Sequence, residues 1–295
     1  MSVAVIINPV AGRARPAAAR SRGELAAATI EKHGEVPDVL VTTHAGHAPL
    51  LAAAAVERGA RLVMVWGGDG TINEVASALA FRDIPIAIIP AGSGNGLARE
   101  LAVDREPARA IASALRATPR AIDMGELGGR LFVNLAGVGL DAHVAARFNA
   151  AGNQRRGFAA YLGIAAHALL TYTASRYTIT ASDDVRMTVR AVLVVMANSA
   201  QYGNGARIAP GARIDDGRLD LVVVEERSRF VTLCQTPRLF NGSVGRVPEC
   251  SMHRVREVTV ECDEPMLFHV DGEPVEGGRR LTARVHPGAL KICVA

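Results

Sequence analysis

The feature that most constrains this chain is a run of three glycines around one aspartate. Gly67-Gly68-Asp69-Gly70-Thr71 stands directly after the apolar run 62–66 and directly before a helical stretch at 72–80. A strand that ends in such a turn and feeds a helix is a phosphate cradle. Its glycines let backbone N–H groups approach phosphate oxygens closely, and the helix N-terminus adds a favourable partial charge. An aspartate among phosphates is repelled unless a cation intervenes, so Asp69 points to Mg2+ or its water shell. A tight turn merely capped by Asp or Thr would need fewer glycines.

A second glycine turn, Pro90-Ala91-Gly92-Ser93-Gly94-Asn95-Gly96-Leu97-Ala98-Arg99, follows the next apolar run at 86–89. It approaches a dinucleotide fingerprint, but Leu97 stands where the third glycine of G-x-G-x-x-G belongs, which disfavours a dinucleotide-binding dehydrogenase. In an open parallel sheet, neighbouring strand ends place both turns on one rim, where ligands bind. The sequence holds no G-x-x-x-x-G-K-[ST], no H-R-D and no D-F-G, so the P-loop and protein-kinase plans of phosphoryl transfer are excluded.

Short apolar runs at 3–7, 39–41, 62–66 and 86–89 alternate with alanine-rich stretches at 17–31, 49–58, 72–80, 97–101 and 108–117. That rhythm predicts buried parallel strands with crossover helices, an α/β layer. After about residue 121 the segments turn strand-like, at 131–135, 177–181, 187–197, 219–224, 258–262, 266–270 and 281–285. Asp216-Gly217 and Asp271-Gly272 give turn signals between them, and one helical stretch at 158–171 interrupts them. The reading is an α/β domain with a mainly parallel sheet over 1–122, then a mostly antiparallel β-sandwich domain over 123–295. Two domains imply a cleft.

Hydrophobic residues make up 49% and charged residues 21%, enough apolar matter for a substantial core. The net charge of +4 rests almost wholly on arginine and favours anionic partners, without an arginine block of the kind that binds nucleic acid. Cys234, Cys250, Cys262 and Cys293 are scattered, which fits a reducing cytoplasm rather than a zinc or redox site. The opening residues have no positive region before a short apolar run, and no 18-residue uncharged apolar stretch occurs, so the expectation is a chain neither secreted nor membrane-spanning.

Gly67 to Glu74 together with Gly92-Ser93-Gly94-Asn95 resembles the diacylglycerol kinase catalytic-domain family, and the resemblance spans nearly the whole chain. Asn8-Pro9 with Gly12-Arg13 is similar to that family's opening nucleotide loop, and Thr42 with Gly46-His47-Ala48 to its second. Asp123-Met124-Gly125, the run from Asn134 to Ala142, Asn198, Pro210, the run from Asp216 to Asp220, and Asp271-Gly272-Glu273 continue the match in order. The resemblance implies a first domain like that of NAD kinases and phosphofructokinases, and a lipid kinase that uses ATP and Mg2+ to phosphorylate a hydroxyl of a membrane lipid, diacylglycerol or a related one. It assigns the nucleotide to Asn8, Pro9, Gly12, Arg13, Thr42, Gly67, Gly68, Asp69, Gly70, Thr71, Ile72, Asn73, Ser93, Gly94 and Asn95. Asp123 would lie close to the reacting phosphate, and Glu273 would be the general base. A metal would sit at Asp216 with backbone oxygens of Arg213 and Arg218.

The acceptor stays open at this level. Many bacterial relatives have an acid where this chain has Gly96, whereas sphingosine kinases have a small residue there. Asp141 falls where sphingosine kinases meet the lipid amine, yet diacylglycerol-type relatives share an acid at that place. The alternatives are a sphingoid-base kinase, a soluble-substrate enzyme of NAD kinase type and a nucleotide-binding regulator without turnover. Expected partners are a lipid at the membrane surface through peripheral contact, and no nucleic acid; a homodimer stays open. Arg155-Arg156 and the stretch 157–171 would either face the membrane, with Phe158, Tyr161, Leu162, Ala165, Leu169 and Tyr172 at helical spacing, or pack on the β domain.

Overall fold

The computed structural model describes residues 2–13, 18–151, 158–182 and 185–294. The chain divides into two units, Met1–Ile122 with Gly288–Ala295, and Asp123–Pro287.

The first unit runs β1 (Ser2–Ile7), α1 (Ala18–Lys32), β2 (Val36–Val41), α2 (Ala48–Glu57), β3 (Ala60–Gly67), α3 (Asp69–Leu79), β4 (Ile86–Pro90), α4 (Gly96–Glu100) and α5 (Pro107–Arg116). The strands are parallel, in the order β4-β3-β1-β2. Residues 3–7 and 62–66 are buried along their whole length, as strands covered on both faces must be. Helix α3 turns Thr71, Ile72, Val75, Ala76 and Leu79 inward, a spacing of one helical face. Helix α5 begins with Pro107, and the Glu106 carboxylate accepts the N–H groups of Ala108 and Arg109, satisfying donors that a helix start leaves unpaired. Ile7, Ile30, Met64, Trp66, Ile89 and Ile111 meet in one core.

The second unit contains β5 (Arg120–Leu127, begun in the first unit), β6 (Arg130–Phe132), β7 (Leu135–Gly139), α6 (Leu140–Ala150), α7 (Phe158–Thr171), β8 (Ser175–Ala181) and β9 (Arg186–Ala197). It continues through β10 (Gln201–Gly203), β11 (Ala206–Arg207), β12 (Leu219–Glu225), α8 (Arg229–Gln235), α9 (Arg238–Asn241), β13 (Cys250–Val255), β14 (Glu257–Cys262), β15 (Leu267–Val270), β16 (Glu273–Glu276) and β17 (Arg280–Ile292, ended in the first unit). Its pairings are antiparallel. Strand β9 pairs with β8 in its first half and lies between β7 and β12 in its second, so one long strand serves two parts of the sandwich. Phe132, Phe268, Met196, Leu221 and Val260 fill the interior.

Several expectations need correction. Residues 131–135 are not one strand: β6 and β7 are separated at Val133 and Asn134, whose N–H groups donate to the Asp271 carboxylate. The β region carries α6, α8 and α9 besides the expected helix. The last eight residues, read with the second domain, belong with the first unit, where Ile292 pairs with Ile86 and Leu290, Ile292 and Cys293 are buried. The turn signal at Asp216-Gly217 falls in a bend ahead of β12. Arg155, Arg156 and Gly157 lie outside the described residues, as does the side chain of Arg13.

Candidate nucleotide and acceptor sites

In the first unit the strand ends align. Ile7 pairs with both Val41 and Trp66, and Gly67 with Pro90, so the loops after β1, β2, β3 and β4 share one rim. Asn8, Thr42, the 67–73 turn and the 92–95 turn therefore meet there. The Asn8 Nδ2 group donates to Thr71 Oγ1 at 2.9 Å, joining the first loop to the third. Thr42 is buried and its backbone N–H donates to the Ile7 carbonyl. Pro9 lies in the turn that leads to Gly12, which adopts φ 71°. A Cβ at Gly12 would stand 2.2 Å from the Ala91 carbonyl oxygen, so a glycine is required where the first loop passes the fourth.

The two glycine turns touch backbone to backbone. A Cβ at Gly92 would come within 2.7 Å of Gly68 Cα. Asn95 holds the second turn: its Oδ1 accepts from the Gly92 N–H and its Nδ2 donates to the Gly92 carbonyl, each at 2.8 Å. Asn95 pays for this with a left-handed φ of 49°, a conformation that asparagine tolerates better than most residues. Asp69 then crosses between the turns, its Oδ1 accepting the Gly96 N–H at 2.7 Å. A Cβ at Gly94 would lie 2.9 Å from Asp69 Oδ2, so Gly94 leaves the space that this carboxylate uses. Glycine at 96 is consistent with that tie: its amide meets the acid already present at 69.

Two contacts on this rim are not legible from the motifs. Arg22 of α1 donates to the carbonyls of Asn8 and Ala11 and lies over the Trp66 ring at 5.7 Å. Burial lowers its guanidinium from the ordinary value. Glu74 accepts the Gly46 N–H at 3.1 Å, joining α3 to the loop after β2.

In the second unit Glu273 opens β16 after the two-residue loop Asp271-Gly272, with φ 47° and 86°. Both central residues having positive φ makes this a type I′ hairpin. Asp271 does more than turn the chain: its carboxylate accepts the N–H groups of Val133, Asn134 and Leu135 at 2.8, 2.9 and 3.0 Å. Glu273 is exposed, and its Oε2 accepts from Asn149 Nδ2 at 3.2 Å. An exposed carboxylate held in one place by a pinned turn can accept a proton from a bound hydroxyl.

Asp123 is buried on β5, and its Oδ2 accepts the Gly217 N–H at 2.6 Å. The expected metal residues Asp216, Arg213 and Arg218 cluster beside it. Asp216 Oδ1 accepts the Arg218 N–H, Asp216 Oδ2 pairs with Arg254, and Arg213 lies 3.7 Å from Asp215. Burial raises the Asp220 carboxyl, with Arg254 opposing and Asp216 adding to that rise. Among the described residues no group of three or more His, Cys, Asp or Glu could hold a metal ion. Mg2+ needs few protein oxygens, so one carboxylate with carbonyls is chemically adequate. At Asp216, however, that carboxylate is already neutralised by Arg254, and a cation would have to compete with a guanidinium.

A parallel α/β unit with paired glycine turns on its rim, followed by an antiparallel sandwich carrying a pinned hairpin carboxylate, has the architecture of diacylglycerol kinases. Residues 2–127 match the diacylglycerol kinase catalytic domain, and residues 134–294 match the YegS C-terminal NAD kinase beta sandwich-like domain. The chain belongs to the YegS-like lipid kinase family. A probable YegS-like lipid kinase of Pseudomonas aeruginosa is 34% identical over 258 residues, covering 86% of this chain and 83% of that protein. One of Chromohalobacter salexigens is 32% identical, covering 87% and 83%. Two solved structures from Bacillus anthracis, a putative diacylglycerol kinase and a diacylglycerol kinase, share the fold with TM-scores of 0.79 and 0.74 at 22% and 21% identity. They cover 100% of this chain and 97% of each of those chains.

Proposed function

We propose that this chain transfers the γ-phosphate of ATP, accompanied by Mg2+, to a hydroxyl of a membrane lipid of the diacylglycerol type. The observation that carries the reading is the tie from Asp69 Oδ1 to the Gly96 amide, which sets two glycine turns and one carboxylate against each other on a single rim. Backbone N–H groups there suit the nucleotide phosphates, and Asp69 suits a cation carried with them. Mg2+ would screen phosphate charge. The acceptor hydroxyl oxygen forms a bond to the γ-phosphorus as the bond from that phosphorus to the oxygen of the departing ADP breaks. The hydroxyl proton passes to the Glu273 carboxylate.

The surroundings of Asp141 support an acceptor of this type. A sphingoid base would need a carboxylate for its amine, but Asp141 is buried and accepts from Tyr202, His269 and its neighbour's N–H. That commitment favours an acceptor without an amine. Leu162 and Leu170 are exposed on α7 and support peripheral contact with a lipid surface. No helix among the described residues is long and apolar enough to cross a membrane.

The test is a vesicle panel of diacylglycerol, ceramide and sphingosine incubated with labelled ATP. Label entering diacylglycerol, and falling by roughly 10²–10⁴ in Glu273→Gln, is the expected result. Label entering sphingosine instead would overturn the choice of acceptor.

A further inference from the structure

Behind the Glu273 hairpin lies a chain of buried polar groups that the phosphate rim does not require. The Gly272 N–H donates to His269 Nδ1 at 3.2 Å. That bond leaves Nδ1 without a proton, so the neutral ring carries its proton on Nε2. Nε2 then donates to Asp141 Oδ2 at 3.1 Å. The same oxygen accepts the Tyr202 hydroxyl at 2.9 Å, and Asp141 Oδ1 accepts the Ala142 N–H at 2.8 Å. The His269 and Asp141 side chains are each 3% exposed, which makes unmade hydrogen bonds there costly.

The surrounding glycines make room for this arrangement. A Cβ at Gly137 would stand 2.4 Å from Asp141 Oδ2, and Gly139, at φ 108°, would place one 2.5 Å from the Val192 carbonyl oxygen. Gly137 thus admits the Asp141 carboxylate, and Gly139 lets β7 pass close to the β9 backbone. Helix α6 meets the hairpin twice: Asp141 at its first turn holds His269, and Asn149 near its end holds Glu273 itself.

We propose that His269 is a positioning residue, which together with Asp141 fixes the Asp271-Gly272-Glu273 turn and thereby the carboxylate that accepts the hydroxyl proton. The proposal rests on the kinase reading for its catalytic consequence. Its structural half stands alone: the ring links the hairpin amide to α6, and loosening it frees the turn. A displacement of about 1 Å at a reacting group can cost roughly 100-fold, so a buried ring bonded to the amide of the residue before the base has leverage on turnover without touching substrate.

Two substitutions separate the ring's two bonds. His269→Asn keeps an acceptor near the Gly272 N–H and loses the reach to Asp141, whereas His269→Gln reaches Asp141 and loses the acceptor facing Gly272. Each variant is assayed for kcat and for KM with ATP and diacylglycerol vesicles, alongside thermal midpoint and amide hydrogen exchange across residues 267–276. His269→Gln should lower kcat at least tenfold with KM for ATP unchanged, and speed exchange at Gly272 and Glu273. His269→Asn, which breaks the other end of the link, should likewise lower kcat and speed exchange. A His269→Gln enzyme within twofold of wild-type kcat, or two variants whose losses follow only their thermal midpoints, would overturn the proposal. If wild-type protein labels no lipid, the kinase reading fails. Exchange still decides this inference then: exchange at Gly272 unchanged by His269→Gln refutes the link, and faster exchange in both variants supports it.

Discussion

Asp69 Oδ1 accepts the Gly96 amide across 27 positions of sequence, so the carboxylate of one glycine turn closes the other. The bond gives Asp69 two separable roles, a brace between loops and a charge beside the phosphates. Asp69→Asn keeps an oxygen for the Gly96 N–H and removes the charge. The expected outcome is a folded protein with an unchanged thermal midpoint and turnover reduced by roughly 10²–10³, the size of effect seen when one electrostatic contributor is removed. Near wild-type turnover in Asp69→Asn would reduce Asp69 to the brace alone.

Gly92→Ala tests the contact between turns. The added methyl would meet backbone, Gly68 Cα at 2.7 Å, as well as Asn95 Oδ1 at 2.9 Å, so a side-chain rotation cannot relieve it. ATP affinity should fall sharply in calorimetric titration. Gly94→Ala meets only a carboxylate oxygen and should cost less, giving an ordered pair of losses.

Asp271→Ala should destabilise the second unit without touching the nucleotide rim. It strips one acceptor from three N–H groups at Val133, Asn134 and Leu135. Donors left unmet in a partly buried place cost about 2–3 kcal/mol in total. Chemical denaturation should show that loss, while Asp271→Asn, with one oxygen kept, should lose less.

Glu126 makes part of the stability depend on acid. Burial pushes its carboxyl up, but hydrogen bonds from His286 at 2.8 Å and Arg284 at 3.0 Å outweigh this and bring it below its ordinary value. A carboxyl lowered in the folded state adds stability above its unfolded value near ~4.3, and that contribution disappears as pH falls through the folded value. Thermal midpoints of wild type and Glu126→Gln should therefore differ at pH 7 and converge on acidification below about pH 4. A gap that stays constant across this range would show that Glu126 acts through packing.

The cysteines should react unequally. Cys234 is exposed, whereas burial pushes the Cys250 thiol up to about 11 and raises Cys293 as well. Thiolate is the nucleophile, so a maleimide at pH 8 should label Cys234 first and leave Cys250 and Cys293 largely unlabelled until the protein is denatured. Peptide mass spectrometry reads the order.

Local composition specified the parallel unit and its rim. Unbroken apolar runs such as 62–66, short, rich in valine and ended by glycines, read as buried strands, and the glycines at 67, 68, 92 and 94 announce close backbone approach through local composition. It also determined the hairpin at Asp271-Gly272, since two adjacent positive φ values are a local demand met by local residues. Tertiary structure alone decided what those residues hold. Asp271 reaches 136 to 138 positions back to the 133–135 amides, and His269 meets Asp141 across 128 positions. No periodicity records such pairs, because a polar side chain that will be buried against a distant partner reads the same in sequence as one that faces water. Helix α6 was missed for a related reason. Its buried face, Asp141, Ala142, Val144 and Ala145, mixes a carboxylate with small residues, and the space left by Gly137 together with the groups of Tyr202, His269 and the Ala142 amide makes burying that carboxylate favourable.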